Sequence, residues 1–339
     1  MQHRMGEGPL HRPDGRLAEP GWACAEVRRY SRASVKAPKW RLKAWDYYCI
    51  TAPDYALALT VADNGYMGFL GTAWMDFAAR TAVNGGAMSA FPMGRMGLPD
   101  SADAGDVRAA IGGLAIEYRH ETGGRRLIFD DPGFGGGRGL KGEVFLSDEP
   151  RDRMVVATPF PRAPRAFYYN QKINCLRAEG EVVLGGERRA FSPDSAFAVL
   201  DWGRGVWTYD NTWYWGSASG LHEGRRFGLN IGHGFGDTSA ASENMVFLDG
   251  VAHKLGEVTF HLPKGAHDSG PWLFTSDDGR FEMTFEPIVD RASATDLKII
   301  RSIQHQVFGR YSGEVVLDDG RRLAIRDLLG FAEEVENRW

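Results

Sequence analysis

Four residues of this chain are suited to acid–base chemistry. Asp201, His233 and Glu243 lie in one aromatic, glycine-rich stretch between Leu200 and Leu255, and His305 lies farther along the chain. A carboxylic acid in an apolar environment can stay protonated near neutral pH and deliver its proton. An imidazole can accept or donate a proton under the same conditions. We therefore predict Asp201 and Glu243 as candidate acids and the two histidines as their catalytic partners.

The two histidines share the phase of apolar residues in predicted strands. Residues at alternate positions of a strand face the same side, so both imidazoles are expected to point inward. The residues in phase are Phe227, Leu229 and Ile231 for His233, and Ile303, Val307 and Tyr311 for His305. Two interpretations stay open: site residues beside a ligand, or core histidines bonded to backbone.

Aromatic residues surround the candidate acids in the sequence. We predict a ligand-binding set of Trp202, Arg204, Trp207, Trp213, Trp215 and Tyr311. Large aromatic faces with interspersed glycines are typical of a lined cavity that carries a few polar groups. Structural alternatives remain for each of these residues. The tryptophans could be core residues, and Glu243 could be a solvated carboxylate in a loop. Asp201 and Arg204 could form an ion pair that closes the first half, with Arg338 as the counterpart of Arg204 in the second half.

No cofactor or metal motif is recognisable. The remaining histidines of the second half, His222, His253, His261 and His267, lack zinc-ligand spacing. Gly133–Gly139 lacks the lysine and the strand-to-helix context of a phosphate loop, so we predict a turn there. We accordingly expect neither a cofactor nor a metal.

Composition limits the partners. Lys+Arg 40 against Asp+Glu 44 gives a net charge of −4, which argues against nucleic-acid binding. No apolar run reaches the roughly 18 residues of a membrane span. The start of the sequence lacks the apolar segment of a signal peptide, and three widely spaced cysteines form no disulfide framework. These features favour a cytoplasmic protein, and none indicates an oligomeric state.

The pattern of the chain is mostly β. Short apolar or alternating runs recur between glycine and proline breaks: Tyr55–Ala62, Leu114–Tyr118, Arg125–Phe129, Met154–Thr158, Phe167–Cys175, Phe227–His233, Val258–Leu262 and Phe281–Phe285. Asp318-Asp319-Gly320 between two apolar runs predicts a hairpin. Arg322–Val335 is the one segment where a short helix is considered. Many short strands indicate an all-β fold of the barrel or sandwich type.

A weak internal repeat organises the chain. Gly-Glu-Val-Val-Leu occurs at 180–184 and again at 313–317, each followed by an Arg/Trp block. We interpret this as a duplication, with an extension at 1–38, a first half at 39–209 and a second half at 210–339. The first half contains an apparent insertion, Asn84–Asp106, that is rich in Gly, Ala, Met and Pro. We expect this insertion to be an irregular lid near a cavity mouth.

The pattern Trp202-Gly203-Arg204-Gly205-Val206-Trp207, with Gly234–Asp237, Glu243-Asn244 and His305–Gly309, resembles a large microbial family that is catalogued as a domain of unknown function. The resemblance runs from about Lys39 to Trp339. More remotely, two β-rich halves that each end in an Arg/Trp block are similar to the tandem lipocalin-like proteins, which include carotenoid hydratases, tocopherol cyclases and fungal cyclases. Those proteins often end a half with a Glu-His-x-Trp-Gly block, whereas this chain has no histidine there.

The remote resemblance implies two lipocalin-like (calycin-type) antiparallel β-barrels and an apolar ligand held in or between them. We therefore predict a protein that binds a hydrophobic, lipid- or isoprenoid-like molecule, with cofactor-independent hydration, isomerisation or cyclisation as its chemistry. A non-catalytic lipid or pigment carrier is the first alternative. A glycan-active protein is the second, because tryptophan rows suit sugars and Asp201 with Glu243 could form a carboxylate pair.

Overall fold

The computed structural model describes residues 2–296 and 300–339, and in them the chain is almost entirely antiparallel β-structure. The helical elements are the short α1 (Phe134–Gly137) and two 3-10 turns, Arg32–Ser34 and Lys39–Arg41. None of the helices in these residues has the length and apolar character needed to cross a membrane. The predicted turn at Gly133–Gly139 contains the single helical turn α1, in which Gly135 and Gly136 have a left-handed backbone conformation.

The first half forms one large sheet preceded by short N-terminal strands. Its strands are β1 (Gly8–Pro9), β2 (Gly21–Ala23), β3 (Arg28–Arg29), β4 (Lys43–Thr51), β5 (Tyr55–Asp63), β6 (Met67–Asp76), β7 (Thr81–Ala90), β8 (Val107–Ile111), β9 (Leu114–Glu121), β10 (Gly124–Asp131), β11 (Leu140–Ser147), β12 (Met154–Phe160), β13 (Ala163–Leu184), β14 (Glu187–Phe191) and β15 (Phe197–Val206). The main order is β7-β6-β5-β4-β15-β13-β11-β10-β9-β8. The two edges, β7 and β8, approach each other, so the sheet curls into a barrel.

The second half forms a nine-stranded sheet. Its strands are β16 (Asp210–His222), β17 (Arg225–His233), β18 (Met245–Leu248), β19 (Val251–Lys254), β20 (Val258–His261), β21 (Trp272–Ser276), β22 (Phe281–Asp296), β23 (Arg301–Val316) and β24 (Arg322–Arg338). Their order is β19-β18-β17-β16-β24-β23-β22-β21-β20, and β17 approaches β20 to close this sheet around its own core.

The two sheets repeat one strand order, which confirms the internal duplication. Strands β4, β15, β13 and β11 of the first sheet follow each other as β16, β24, β23 and β22 do in the second. Gly180 and Gly313 occupy corresponding places in β13 and β23. A Cβ atom at Gly180 would lie 2.2 Å from the backbone oxygen of Glu143, and one at Gly313 would lie 2.1 Å from the backbone oxygen of Glu282. Both repeats therefore need glycine because a neighbouring backbone comes equally close.

All eight predicted strand segments lie in or overlap observed strands. Phe281, Met283 and Phe285 are buried while Glu282 and Glu286 are exposed, as the alternation predicts. The predicted hairpin also forms, with Val315 opposite Leu323. The suggested helix at Arg322–Val335 is wrong. This segment is part of β24, whose backbone pairs with β23 on one side and β16 on the other, so tertiary pairing overrides local propensity.

The prediction for Asn84–Asp106 is wrong at its start. Residues up to Ala90 form the edge strand β7, and only 91–106 is irregular. Small residues suit this position because β7 crosses close to its neighbours: a Cβ at Gly85 would lie 2.5 Å from the Thr72 hydroxyl. Met88 and Phe91 are exposed, whereas Ala102 is buried in the core of the first barrel.

The first barrel is closed by its own chain. Leu10, Leu17 and Tyr30 of the N-terminal segment are buried in the same apolar cluster as the barrel strands. The backbone oxygens of Pro99 and Ala102, in the irregular segment, accept hydrogen bonds from the buried Arg204 and Arg125. The extension and the 91–106 segment therefore fill the interior end of this barrel, which leaves the contact between the two halves as the place for a site.

The halves meet where β13 and β15 of the first sheet face β16 and β17 of the second, and where the edge strand β7 lies against β22. A bulge in β13 places Asn174 and Cys175 against the second half. The Asn174 amide donates to the Ser217 hydroxyl (2.9 Å), and the Cys175 backbone N–H donates to Ser219 (3.0 Å). A Cβ at Gly228 would meet the Cys175 sulfur at 2.5 Å. The two halves are thus fitted closely along this junction.

Candidate functional site

A buried lysine lies at the centre of the junction. Lys172 on β13 is opposite Asp201 on β15, and its Nζ atom lies 2.8 Å from the Asp201 carboxylate. The Asn170 amide donates to the other Asp201 oxygen (2.6 Å). The Lys172 ammonium also lies 3.6 Å from the ring centroid of Trp215, in the second half. A cation held over an indole is stabilised by the ring, so this contact ties the lysine to both halves.

Two more carboxylates of the second half act on Lys172. Burial raises the pKa of Glu333 from its ordinary value to about 7, with the Lys172 charge opposing the shift and Asp201 adding to it. Burial likewise raises the pKa of Glu243, with the same opposing and reinforcing charges. Lys254 acts on Glu243 and Arg291 acts on Glu333 in the same sense as Lys172, and these cations oppose the shifts without removing them. Because both carboxyls are desolvated, the pKa of each stays above its ordinary value.

Hydrogen bonds fix Glu333 from two neighbouring side chains. The amides of Gln304 and Gln306 donate to its Oε2 atom at 3.2 and 3.1 Å. Tyr47 of the first half donates to the Gln306 oxygen (3.1 Å), and Arg291 donates to the same oxygen (2.9 Å). Glu333 is therefore the inner member of the cluster, enclosed by polar partners from both halves.

Glu243 is the outer member and follows the small-residue loop after β17. The Trp215 indole N–H donates to the Asn230 oxygen (2.8 Å), and the Asn230 amide donates to the Glu243 backbone oxygen (2.8 Å). A Cβ at Gly232 would lie 2.4 Å from the Glu243 carboxylate. Glycine is therefore needed at 232 to admit this carboxylate beside the strand.

A narrow cleft with a cavity volume of about 10 Å³ opens beside Glu243. Its walls come from both halves: Val156, Thr158, Tyr168, Gly232, His233, Phe235, Thr238, Ala241 and Glu243. Phe235 packs edge-on against Tyr168, with ring centroids 4.7 Å apart. The cleft thus combines an aromatic wall with a carboxylic acid of raised pKa and an imidazole.

The structure brings three of the predicted site residues together, Asp201, Glu243 and Trp215, around Lys172. Glu243 is half-buried on its loop, and burial is the main cause of its raised pKa. His233 is exposed, not inward in a core, since β17 continues past the apolar interior to the rim. There it faces Tyr214, with ring centroids 6.3 Å apart, and lines the cleft.

His305 lies on the other side of β24, at the mouth of the second barrel. Its Nδ1 atom is 2.6 Å from Asp290, and its ring stacks on His267 at 3.9 Å. It is half-buried and is part of neither the Lys172 cluster nor the cleft lining. The four predicted catalytic residues are therefore divided between two places.

Arg204 does not pair with Asp201, so that predicted ion pair is wrong. Residues 201 and 204 are three apart in β15 and face opposite sides of the sheet. Arg204 instead lies inside the first barrel, 2.9 Å from Asp46 and with its guanidinium 4.0 Å from the Trp202 ring centroid. The structural alternative of an arginine on tryptophan is present, but with Asp46 as its acid.

The other predicted ligand-binding aromatics are packed in cores. Trp207 and Trp213 both contact Phe235 at the junction, with centroid distances of 5.2 and 5.0 Å. Tyr311 is buried in the second barrel, where its hydroxyl donates to the Phe331 backbone oxygen (2.7 Å). These residues therefore support the walls of the site, and Tyr168 and Phe235 line the cleft itself.

Sequence reasoning missed Lys172, Glu333 and the group formed by His267 and Asp290. Lys172 interrupts an apolar predicted strand, which was a usable signal. Glu333 was hidden in the segment considered as a helix. His267 and Asp290 belong to different elements of the fold. One nitrogen of His267, one nitrogen of His305 and one carboxylate oxygen of Asp290 all lie within 4.8 Å of one another. No local spacing predicts that arrangement.

Solved structures with this architecture are tandem lipocalin-like proteins. A Nitrosomonas europaea protein described as a candidate AttH matches with a TM-score of 0.53 and 14% identity over 88% of this chain and 92% of that one. Kievitone hydratase of Nectria haematococca matches with a TM-score of 0.50 and 11% identity over 98% of both chains. CghA matches with a TM-score of 0.53 and 10% identity over 98% of this chain and 97% of that one. These likenesses confirm the predicted fold of two lipocalin-like halves.

At the level of sequence, residues 2–339 match the family described as "Domain of unknown function (DUF2804)". The chain belongs to this family, which confirms the resemblance drawn from the tryptophan-rich pattern. No curated protein sequence matches the chain significantly.

Proposed function

We propose that this DUF2804 protein binds a small hydrophobic molecule in the cleft between its two halves and transfers a proton to it from Glu243. The observation that carries the proposal is the position of Glu243, a carboxyl whose pKa is raised by burial and which lines a cleft with an aromatic wall. An acid that keeps its proton at neutral pH is what protonation of an alkene requires.

The charged groups near Glu243 allow it to regain its proton after each transfer. After proton transfer, the new carboxylate gains attraction from Lys172 and meets repulsion from Asp201. The repulsion favours reprotonation, and the attraction limits the energy of the ionised state. Lys172 therefore tunes the acid, and Glu333, whose pKa burial raises to about 7, is a second titrating carboxyl of the same cluster.

Hydration or isomerisation follows from the same first step. Protonation of one alkene carbon by Glu243 leaves a cation at the other carbon. Water adds to that cation and loses a proton to His233 on the cleft wall, or the cation loses a neighbouring proton to give the isomer. Attack by a second alkene of the same molecule gives cyclisation. No oxidant or reductant is consumed in any of these routes.

The cleft must open before it can hold a ligand. Its cavity volume of about 10 Å³ has room for about one water molecule and is far below the roughly 300–1,000 Å³ of drug-sized sites. The loop that carries Glu243 is held from two sides. The Ser242 N–H donates to the Gln2 side chain of the N-terminal segment (2.8 Å), and the Lys254 ammonium on β19 donates to the Ser242 hydroxyl (2.9 Å). We propose that entry of a larger, isoprenoid-like ligand displaces this loop.

The shared fold makes hydration the first reaction to test. Kievitone hydratase is named for such a reaction. A carrier would need the cleft without a buried acid, and Glu243 with its charged surroundings therefore favours catalysis. A glycan site would need tryptophans on an open floor, whereas Trp202, Trp207 and Trp215 are buried.

The test uses the full chain in deuterium oxide with a panel of monoterpene alkenes and prenylated phenols. Mass spectrometry measures deuterium or water added to each compound, and tryptophan fluorescence measures binding. We expect Glu243→Gln to reduce turnover by about 10²–10⁴-fold with binding close to the parent's. Asp201→Asn, His233→Gln and His305→Gln are measured in the same way. The matched control is Glu282→Gln, an exposed carboxylate on β22.

The outcomes separate the functions. If a folded Glu243→Gln variant turns over like the parent, the assigned acid is wrong. If the parent binds the panel but never adds deuterium, the protein is a carrier. If His305→Gln lowers turnover and His233→Gln does not, the second proton acceptor lies at the mouth of the second barrel.

A further inference from the structure

We infer that His267, Asp290 and His305 bind a divalent transition-metal ion at the mouth of the second barrel. This site lies on the opposite side of β24 from Glu333 and the Lys172 cluster. The inference does not rest on the proposed proton transfer by Glu243.

The three side chains converge from separate elements. His267 lies in the loop between β20 and β21, Asp290 on β22 and His305 on β23. One donor atom from each lies within 4.8 Å of the other two. The imidazole rings are parallel, 7° from coplanar and 3.9 Å between centroids. Two nitrogen donors and one oxygen donor are thus already gathered in a small volume.

The two carboxylate oxygens of Asp290 have different surroundings. One carboxylate oxygen accepts from His305 Nδ1 at 2.6 Å. The other, Oδ1, is buried and has no hydrogen-bond partner among the described residues. A buried acceptor without a partner costs free energy, and such an atom in a native structure often marks a missing water or ion. This orphaned oxygen is the observation that points beyond a simple His–Asp pair.

A second layer orients His267. Its Nε2 atom lies 2.6 Å from Glu334, and the Tyr214 hydroxyl donates to the other Glu334 oxygen (2.6 Å). The Trp272 indole N–H donates to the His267 backbone oxygen (2.7 Å). Carboxylates that hold a ligating imidazole in place are typical of metal sites and raise the affinity.

The donor set suits zinc and its first-row neighbours. Two imidazoles and one carboxylate are a known set of protein zinc ligands, with metal–ligand distances of about 2.0–2.2 Å and a fourth position for water. Four ligands at those distances lie about 3.4 Å apart, so metal binding needs the donor atoms to draw closer and one of the two stacked imidazoles to rotate, because a nitrogen lone pair lies in the plane of its ring. Asp290 and Glu334 supply two negative charges, which balance those of a dication.

The test is metal binding by the full chain on a Cys24→Ser background, because Cys24 is the partly exposed free thiol. Zinc is titrated by calorimetry and its stoichiometry is measured by elemental analysis. Cobalt(II) is added as a spectroscopic probe of imidazole ligation. The variants are His267→Gln, His305→Gln and the isosteric Asp290→Asn. The matched control is His3→Gln, which removes an isolated His–Glu pair in the N-terminal segment.

We expect one zinc per chain in the parent and in His3→Gln, a cobalt spectrum of low-symmetry imidazole coordination, and a Tm that rises with zinc. Each of the three ligand variants should bind at least about 100-fold more weakly. The inference is overturned if the folded parent binds no stoichiometric zinc. It is also overturned if the ligand variants that remain folded bind like the parent, since the metal then lies elsewhere.

Discussion

Arg204 and Arg338 belong to corresponding strands of the two halves but differ in surroundings. Arg204, on β15, is buried with Asp46 and donates to the backbone oxygens of Trp45 and Pro99. Arg338, on β24, forms an exposed pair with Asp210 at 3.0 Å. The duplication therefore kept the strand order while the polar residues took different roles. In the first half Arg204 and Asp46 pair inside a closed barrel, where other buried polar atoms, such as the Tyr118 hydroxyl and the Trp202 indole nitrogen, have no hydrogen-bond partner among the described residues.

The buried charges of the junction differ from the single Arg204–Asp46 pair. Asp201, Glu243 and Glu333 lie among the cations Lys172, Lys254 and Arg291, and burial still raises the pKa of Glu243 and of Glu333. Buried carboxyls with a raised pKa cost stability when they ionise and are characteristic of sites that bind or react. The comparison assigns structure to the first barrel interior and chemistry to the junction.

The largest effect is expected from Arg204→Met. The substitution leaves the Asp46 carboxylate without its cation in the barrel interior, which we expect to lower the free energy of unfolding by about 3–5 kcal/mol. Urea denaturation followed by circular dichroism measures it. The matched variant Arg338→Met removes an exposed pair and should cost about 0–1 kcal/mol. The double variant Arg204→Met/Asp46→Leu should recover part of the loss. Equal costs for the two arginines would remove the contrast between the halves.

Glu333→Gln should change how stability depends on pH. The folded pKa of about 7 exceeds the ordinary value of 4.5, so the folded state holds a proton that the unfolded chain releases between these pH values. Stability of the parent should therefore fall as pH rises from about 4.5 to about 7, by up to about 3 kcal/mol. Glutamine mimics the protonated form. The variant should match the parent near pH 4 and be more stable than it near pH 8.

Denaturant titrations at pH 4, 6 and 8 measure this effect, with Glu282→Gln as the exposed control. A parent and variant with parallel pH profiles would mean that Glu333 is ionised in the native protein throughout. The junction would then lack its retained proton, and the contrast with the first barrel would be weaker.

The sequence predicted the architecture better than the site. Alternation in segments such as Phe281–Phe285 is a local property, and the repeated Gly-Glu-Val-Val-Leu reflects an equally close backbone approach at Gly180 and Gly313. Those signals suffice for two similar β-barrels. The edge strand β7 was missed because its small, polar residues carry no alternating apolar pattern, although pairing with β6 holds it in the sheet.

The site depends on which face and which half each side chain meets. Asp201 and Arg204 are close in sequence, yet they face opposite sides of β15. Lys172 and Glu333 are far apart in sequence and act on each other across the junction. Strand phase placed His233 on the correct side of β17. It could not show that β17 extends beyond the apolar core, so that His233 is exposed. Pairing between halves is a tertiary property that no local pattern contains.

A smaller effect than that of Arg204→Met is expected at Trp339, the residue that follows β24. The half-buried Trp339 packs on Tyr66 of the first half, with centroids 5.8 Å apart, and its ring lies 4.6 Å from the Lys43 ammonium. Burial lowers the pKa of Lys43 to about 7, so this lysine depends on the surrounding rings more than a solvated one would. Trp339→Ala should cost about 1–2 kcal/mol, because a partly exposed ring and one cation–π contact are lost. Urea denaturation at pH 6 measures it, with the conservative Trp339→Phe expected in between.

Trp207, the aromatic at the end of the first half, is buried against Trp45 and Phe235, so Trp207→Ala should cost about 3–5 kcal/mol. If Trp339→Ala cost as much as Trp207→Ala, the two terminal blocks would be equivalent and the asymmetry between the halves would not extend to their ends.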